Sequence, residues 1–229
     1  MKLFHFEQRT PEWEIARKGV VTGTKAGAFY PKTRGTGMRA EFWNFLAEKI
    51  ALKEHDEKPI DWGVNTENEA RLKYTEITGN IASEIGLAKC EDNDEIGYSP
   101  DGVIYKGKKI TKGLEIKCPS NEVYTQYLAE ICFDIDYESE SVEYLGNVHT
   151  GLDKVPDEKY QKQVLQSFVV NDDQKEFDFF VYNPTMTVNY ILITIHRKDI
   201  EKEIKQQREH IEKGLRIINK MTPYLTPEF

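Results

Sequence analysis

The stretch that most constrains this chain runs from Ser99 to Pro119. Ser99-Pro100-Asp101-Gly102-Val103 opens a short strand from a Ser-Pro turn, Lys106-Gly107-Lys108-Lys109 is a hairpin-type connection, and Gly113-Leu114-Glu115-Ile116-Lys117-Cys118-Pro119 returns as a second strand. Side chains two apart in a strand share a face, so Glu115 and Lys117 point one way while Ile116 points into the core. Asp101, at the head of the first strand, joins them, which gathers two carboxylates and one ammonium. Carboxylates offer the hard oxygen ligands that Mg2+ takes, and a lysine beside them can position or deprotonate an attacking water. Such a set is suited to hydrolysing a phosphodiester.

The acid-x-Lys triplet alone has little force, because Asp56-Glu57-Lys58, Asp157-Glu158-Lys159, Asp173-Gln174-Lys175 and Glu203-Ile204-Lys205 match it too. Those four lie in polar or helical surroundings and read as solvated faces. Only residues 115–117 combine an apolar middle residue with β-type context, a preceding Gly, a following Pro and an Asp on the strand before.

A chain of 229 residues fits one sizeable α/β or α+β domain with a real core. No apolar run approaches the ~20 residues that span a bilayer, and Met1–Glu7 is too polar for a leader, so a cytoplasmic protein is expected. Cys90, Cys118 and Cys132 form no CxxC pair and are too few for a four-thiolate cluster, which leaves reduced thiols. The net charge of −8 speaks against nucleic acid on its face, but its distribution does not. Between Ile15 and Ala40 there is no acid, against Arg17, Lys18, Lys25, Lys32, Arg34 and Arg39; Lys106, Lys108, Lys109 and Lys112 lie beside the carboxylates. A local phosphate-binding surface on an acidic protein fits this pattern, as does a solvated loop.

Thr10-Pro11-Glu12-Trp13 starts a helix that should stop at Gly19. A second helix through Phe29 follows Thr22-Gly23-Thr24, whose hydroxyls would sit at its N-terminus, as an anion site or as ordinary N-caps. Residues 31–37 form a basic Gly-rich loop before an amphipathic helix at about 39–53. Another helix opens at Trp62, carries Glu67, and closes at Gly79. Residues 80–90 and 95–105 read as antiparallel strands, 122–132 as a helix, and the acidic 134–141 as an exposed insertion. A helix over 157–170 places Tyr160 and Gln163 on one face. Strands at 176–182 and 188–196 and a long helix over 198–220 complete the chain. The sequence has no GxSxG, no P-loop, no dinucleotide fingerprint and no histidine ligand pair.

The order of Glu67 on a helix, Asp101 in Ser-Pro-Asp-Gly, Glu115-Ile116-Lys117-Cys118-Pro119 on a strand, and Tyr160-x-x-Gln163 on a helix resembles the phage lambda exonuclease, or YqaJ-type viral recombinase, family of the PD-(D/E)XK nuclease superfamily. The resemblance covers about residues 10–182. It implies a restriction-endonuclease-like α/β (α+β) fold, a central mixed β-sheet flanked by helices, in one domain over 1–229. Within it, the N-terminal helices (about 10–53) would form the DNA-end and 5′-phosphate part, and a C-terminal helix would occupy about 198–220. It implies Asp101, Glu115 and the backbone carbonyl of Ile116 as Mg2+ ligands, two ions with Mn2+ able to substitute, and Glu67 as a further acid. Lys117 would activate water, with Gln163 and Tyr160 supporting the water or the scissile phosphate. Arg17 and Thr24, in the segment holding Trp13 and Thr22, resemble a 5′-phosphate pocket; Arg34 resembles a duplex contact, and Ile60 a wedge between terminal base pairs.

The implied activity is Mg2+-dependent 5′-to-3′ exonuclease action on linear double-stranded DNA, releasing mononucleotides and leaving 3′ overhangs for a single-strand annealing protein, from a homo-oligomer that is a trimer by family analogy. The alternatives are a structure-specific or restriction-type endonuclease and a non-catalytic DNA-binding recombination protein. The segment between Lys117 and Tyr160 is longer than in the lambda protein.

Overall fold

Alternating apolar residues on the strand Glu176–Tyr182 decide the architecture: Phe177, Phe179 and Val181 are buried on one face, Phe180 and Tyr182 on the other. A strand buried on both faces needs helices above and below it. The computed structural model describes residues 1–30, 41, 42, 45, 62–136 and 138–225. Arg34, Ile60, the basic loop and most of the helix expected over 39–53 lie outside the described residues.

The described elements follow in the order β1 (Lys2–Phe4), α1 (Pro11–Arg17), α2 (Gly23–Ala26), α3 (Trp62–Thr78), β2 (Leu87–Lys89), β3 (Gly97–Tyr98), β4 (Gly102–Lys106) and β5 (Lys109–Lys117). Then come α4 (Asn121–Cys132), β6 (Phe133–Asp136), β7 (Ser141–Tyr144), β8 (Val148–Thr150), α5 (Glu158–Val170), β9 (Glu176–Tyr182), β10 (Tyr190–His196) and α6 (Glu201–Leu225). The central sheet has the order β4-β5-β9-β10-β8. β5 runs antiparallel to β4 and parallel to β9, so the sheet is mixed, as the resemblance implies. Smaller antiparallel sheets are β1-β2-β3 and β6-β7.

One face of the central sheet packs Phe177, Phe179, Ile191 and Ile193 against Val164, Leu165 and Phe168 of α5 and Ile204, Ile211 and Leu215 of α6. The other packs Leu114, Ile116, Phe180 and Tyr182 under Ala70 and Tyr74 of α3. Each Val, Leu, Ile or Phe among them contributes about 1.5–3 kcal/mol when fully buried. Asp178, 1% exposed on the α3 face, is fully partnered. It accepts from Tyr74 Oη at 2.7 Å, Lys112 Nζ at 3.0 Å and Thr194 Oγ1 at 2.7 Å, which ties α3 to the sheet.

Most expected elements stand within two or three residues of their expected bounds. Gly79, at φ +70°, ends α3, and Gly107, at φ +64°, turns the β4–β5 hairpin; a side chain would strain either. The segment 95–105 is not one strand. Ser99-Pro100-Asp101 breaks it into β3 and β4, which belong to different sheets, because Pro100 cannot donate to a ladder. The acidic 134–141 segment is exposed as expected, yet it is part of a β-hairpin. Phe133 packs on Tyr144 with ring centroids 5.1 Å apart, and the Asp136 carboxylate accepts from the Glu138 and Ser139 amides at 2.9 and 3.3 Å, closing the turn. The last helix starts at Glu201, after a 3-10 turn over Arg197–Asp199. Strands β1 and β8 were not expected.

Candidate active site

The break between β3 and β4 carries Asp101, and the described structure fixes it from several directions. Its Oδ2 accepts from the Ile116 amide at 2.8 Å, its carbonyl accepts from Arg71 Nη1 on α3, and the preceding Pro100 carbonyl accepts from Gln8 Nε2 at 2.5 Å. Hydrogen bonding across the two strands therefore holds Asp101 at the head of one strand against Glu115 of the other. Glu115 and Lys117 lie on the α5 face of β5, ion-paired at 2.5 Å, while Ile116 is buried under α3. Lys117 Nζ also stands 5.3 Å from the Tyr160 ring centroid on α5.

A cleft of about 160 Å³ joins these groups to the N-terminal segment; its walls are Gln8, Arg9, Trp13, Arg17, Gly23, Thr24, Tyr98, Ser99, Asp101, Glu115, Lys117 and Gln163. The Arg17 guanidinium lies 4.0 Å over the Trp13 ring, and Trp13 is itself anchored by donation from Nε1 to the Gly86 carbonyl at 2.9 Å. Arg17 Nη2 donates to Thr22 Oγ1 at 3.3 Å, and Thr22 and Thr24 hydroxyls are 3.2 Å apart. Thr22 makes no side-chain cap on α2, so its hydroxyl serves Arg17 and Thr24 and not the helix end. Gly23 lets this segment approach α5; a Cβ there would sit 3.2 Å from Gln163 Cα.

The electrostatics are those of crowded acids. Burial, and next the charge of Glu115, push the Asp101 carboxyl up to about 7, although Lys117 and the Ile116 amide oppose this. Burial alone would lower Lys117, but Glu115 and Asp101 outweigh it and hold the ammonium above its usual range. Among the described residues, Asp101 Oδ1 and Glu115 Oε2 take no hydrogen bond. Two open carboxylate oxygens in a buried cleft with surplus negative charge are a donor set that fits a hard divalent cation.

Three further atoms on the cleft wall, Tyr98 Oη, Ser99 Oγ and Gln163 Oε1, are buried and find no hydrogen-bond partner among the described residues. A buried polar group left unsatisfied costs about 1–3 kcal/mol, so their convergence at one place marks where a polar ligand belongs.

Nearly every site residue expected from the sequence and described here thus converges. Asp101, Glu115, Lys117, Gln163, Arg17, Thr24 and Trp13 line the cleft; Thr22, Tyr160 and Ile116 back it. Glu67 does not line it. Its Oε2 accepts from Arg9 at 2.5 Å and its Oε1 from Arg71 at 3.2 Å, and among the described residues no three His, Cys, Asp or Glu side chains gather as metal ligands. Gln8, Arg9, Tyr98 and Ser99 were not foreseen as site residues. Ser99 and Tyr98 directly precede the Asp101 motif, which was the one available signal; Arg9 had none.

A family model described as a YqaJ-like viral recombinase domain matches residues 12–174. The chain belongs to this family. The match spans the cleft-forming elements from α1 through α5, in agreement with the motif order read from the sequence. No curated protein matches the chain in sequence. Among solved structures, an alkaline exonuclease from Laribacter hongkongensis is similar with a TM-score of 0.67 at 21% identity, over 94% of this chain and 97% of that one. The same exonuclease in complex with dAMP gives 0.68 at 20% identity over the same shares. A phage related exonuclease from Haemophilus somnus 129PT gives 0.57 at 10% identity, over 88% of this chain and 96% of that one. At these identities the likeness is one of fold: this member of the YqaJ-like family has the mixed α/β fold of alkaline exonucleases. No helix among the described residues is long and apolar enough to cross a membrane.

Proposed function

We propose that this phage-type nuclease is a Mg2+-dependent exonuclease that degrades the 5′-ended strand of linear double-stranded DNA. It would release mononucleotides and leave 3′ overhangs for a single-strand annealing protein in the cytoplasm of a bacterial host. The observation that carries the reading is the sharing of one cleft by two sets of groups, the acids and lysine of Asp101, Glu115 and Lys117 and the phosphate-binding types Arg17 and Thr24. Adjacent sites for a terminal phosphate and for bond cleavage favour attack from an end.

Asp101 and Glu115, with the Ile116 carbonyl, would hold Mg2+, or Mn2+ in its place. When bound, the cation would supply charge stabilisation for the displacement. These donors account for one ion; a second would need Glu67, which Arg9 and Arg71 now hold. Lys117 orients the attacking water, with Tyr160 and Gln163 bounding it from α5. Arg17, pre-stacked on Trp13, and Thr24 bind the 5′-phosphate and set the register of the strand, so that the next phosphodiester lies over the carboxylates. The fold similarity to an alkaline exonuclease that binds dAMP supports a mononucleotide product. Arg34 and Ile60 remain in this reading as a duplex contact and a strand-separating wedge, and the assembly as a homotrimer.

Digestion of a 5′-phosphorylated linear duplex beside a covalently closed circle, with and without Mg2+, tests it. The linear substrate should disappear only with Mg2+ while the circle survives. Cleavage of the circle would make the protein an endonuclease, and no cleavage of either would make it a non-catalytic DNA-binding protein.

A further inference from the structure

The cleft contains a buried aromatic hydroxyl that the mechanism above does not use. Tyr98 is 4% exposed, and its hydroxyl has no partner among the described residues. This is out of character for the protein. Tyr30 donates to Gln207 at 3.2 Å, Tyr74 to Asp178 at 2.7 Å, Tyr124 to the Val188 carbonyl at 2.7 Å, Tyr127 to Asp157 at 3.0 Å and Tyr182 to Glu69 at 2.7 Å. Burying a tyrosine hydroxyl is ordinarily matched by a hydrogen bond, and five other tyrosines obey the rule where Tyr98 does not.

The surroundings say what would complete it. The ring is fixed in the core, 6.4 Å from the Phe177 ring, so the hydroxyl cannot swing out to solvent. The unpaired Ser99 Oγ and the unpaired end of the Gln163 amide line the same cleft, and the amide can present either its oxygen or its NH2 by a half-turn. Arg17 and Thr24 line it as well. Donors converging with an arginine suit an oxyanion. A lysine at position 98 would collapse onto Asp101 and Glu115, whereas a phenol is a neutral donor that leaves the carboxylates open. Burial, with the charges of Glu115 and Asp101, keeps the phenol protonated.

We propose that the Tyr98 hydroxyl donates a hydrogen bond to the terminal 5′-phosphate held in the cleft, and so is a specificity-determining residue for phosphorylated ends. This rests on the reading of the cleft given above.

The test is Tyr98→Phe in the full chain, compared with wild type for binding to a short duplex bearing either a 5′-phosphate or a 5′-hydroxyl, by fluorescence anisotropy in EDTA. In the wild type the phosphorylated end should bind more tightly. In Y98F that advantage should shrink about tenfold, the lower range for a hydrogen bond to a charged group, with hydroxyl-end affinity unchanged and the melting temperature equal or higher. With Mg2+, KM for phosphorylated ends should rise while kcat changes little. A wild type that does not discriminate between ends refutes the site reading and this assignment with it. A discriminating wild type whose Y98F variant discriminates equally refutes Tyr98 alone, and a lowered melting temperature with unchanged discrimination gives the hydroxyl a structural role instead.

Discussion

Asp101 owes its position to groups distant in sequence: Gln8 on the carbonyl before it, Arg71 on its own carbonyl and the Ile116 amide on its carboxylate. A carboxylate held this way is already in place before substrate arrives, which is how a rigid site keeps its reorganisation cost low. Lys117 has no such network; its position comes from Glu115 and the Tyr160 ring. Lys117→Ala should therefore leave the cleft intact, abolish Mg2+-stimulated cleavage and spare DNA binding, read by a digestion assay beside an anisotropy titration. Retained full activity would remove Lys117 from the mechanism. The pairing of Glu115 and Lys117 was legible in the sequence because the two-residue period of a strand is a local rule. Tyr98 and Arg9 were not, since a hydroxyl without a partner, or a guanidinium spent on Glu67 from 58 residues away, exists only once the chain has folded.

The element that organises the site is α5, a helix with an unusually polar buried face. Gln166 Nε2 donates to the carbonyls of Val21 at 2.7 Å and Gly97 at 3.0 Å, and its Oε1 accepts from Gln207 of α6 at 3.0 Å. One side chain thus fastens the segment bearing Thr22 and Thr24, the strand bearing Tyr98 and the last helix to a common support. That last helix must also come close. Gly214 of α6 faces Phe29, and a Cβ there would stand 2.3 Å from Phe29 Cδ1 and 3.1 Å from Phe42 Cε2. Gly214→Ala would gain about 1 kcal/mol of helix propensity but lose about 1–3 kcal/mol to overpacking. Phe29 is buried against Phe42 and cannot yield, so the loss should win. The expected drop in melting temperature is a few degrees, and calorimetry showing a rise would mean that Phe29 yields after all. Elements with strong periodicity, α5, β9, β10 and α6, were legible, although α6 runs five residues past its expected end, and α3 was legible from its closing Gly79. The hairpin of β6 and β7 was not, because acids are poor strand formers and its cohesion lies in the Phe133–Tyr144 contact across it. The three-residue β8 takes its identity from parallel pairing with β10, which no local pattern announces.

At the scale of the whole molecule, a net charge of −8 coexists with a cleft lined by Arg9 and Arg17, so the charge total does not fix the local charge. The core carries a further consequence. Burial raises the thiols of Cys90 and Cys132 each to about 11, and lifts the phenols of Tyr74 and Tyr124 above their usual range. In the unfolded chain those groups titrate near 8.5 and 10. Between the unfolded and folded values the unfolded chain has released protons that the native state still binds, so stability must fall as pH rises. Lys112 acts in the same direction: burial would lower it, but Asp178 and Glu176 outweigh burial and the folded state keeps its proton longer. Each fully shifted group contributes a slope of about 1.4 kcal/mol per pH unit. The two thiols alone should therefore remove about 2 kcal/mol between pH 9 and 10, with the tyrosines steepening the decline above pH 10. Urea unfolding in reducing buffer at half-unit steps from pH 8 to 11 measures this directly. The midpoint should hold to about pH 8.5 and then fall continuously, and a midpoint flat to pH 11 would show that Cys90 and Cys132 ionise as readily in the folded protein as outside it.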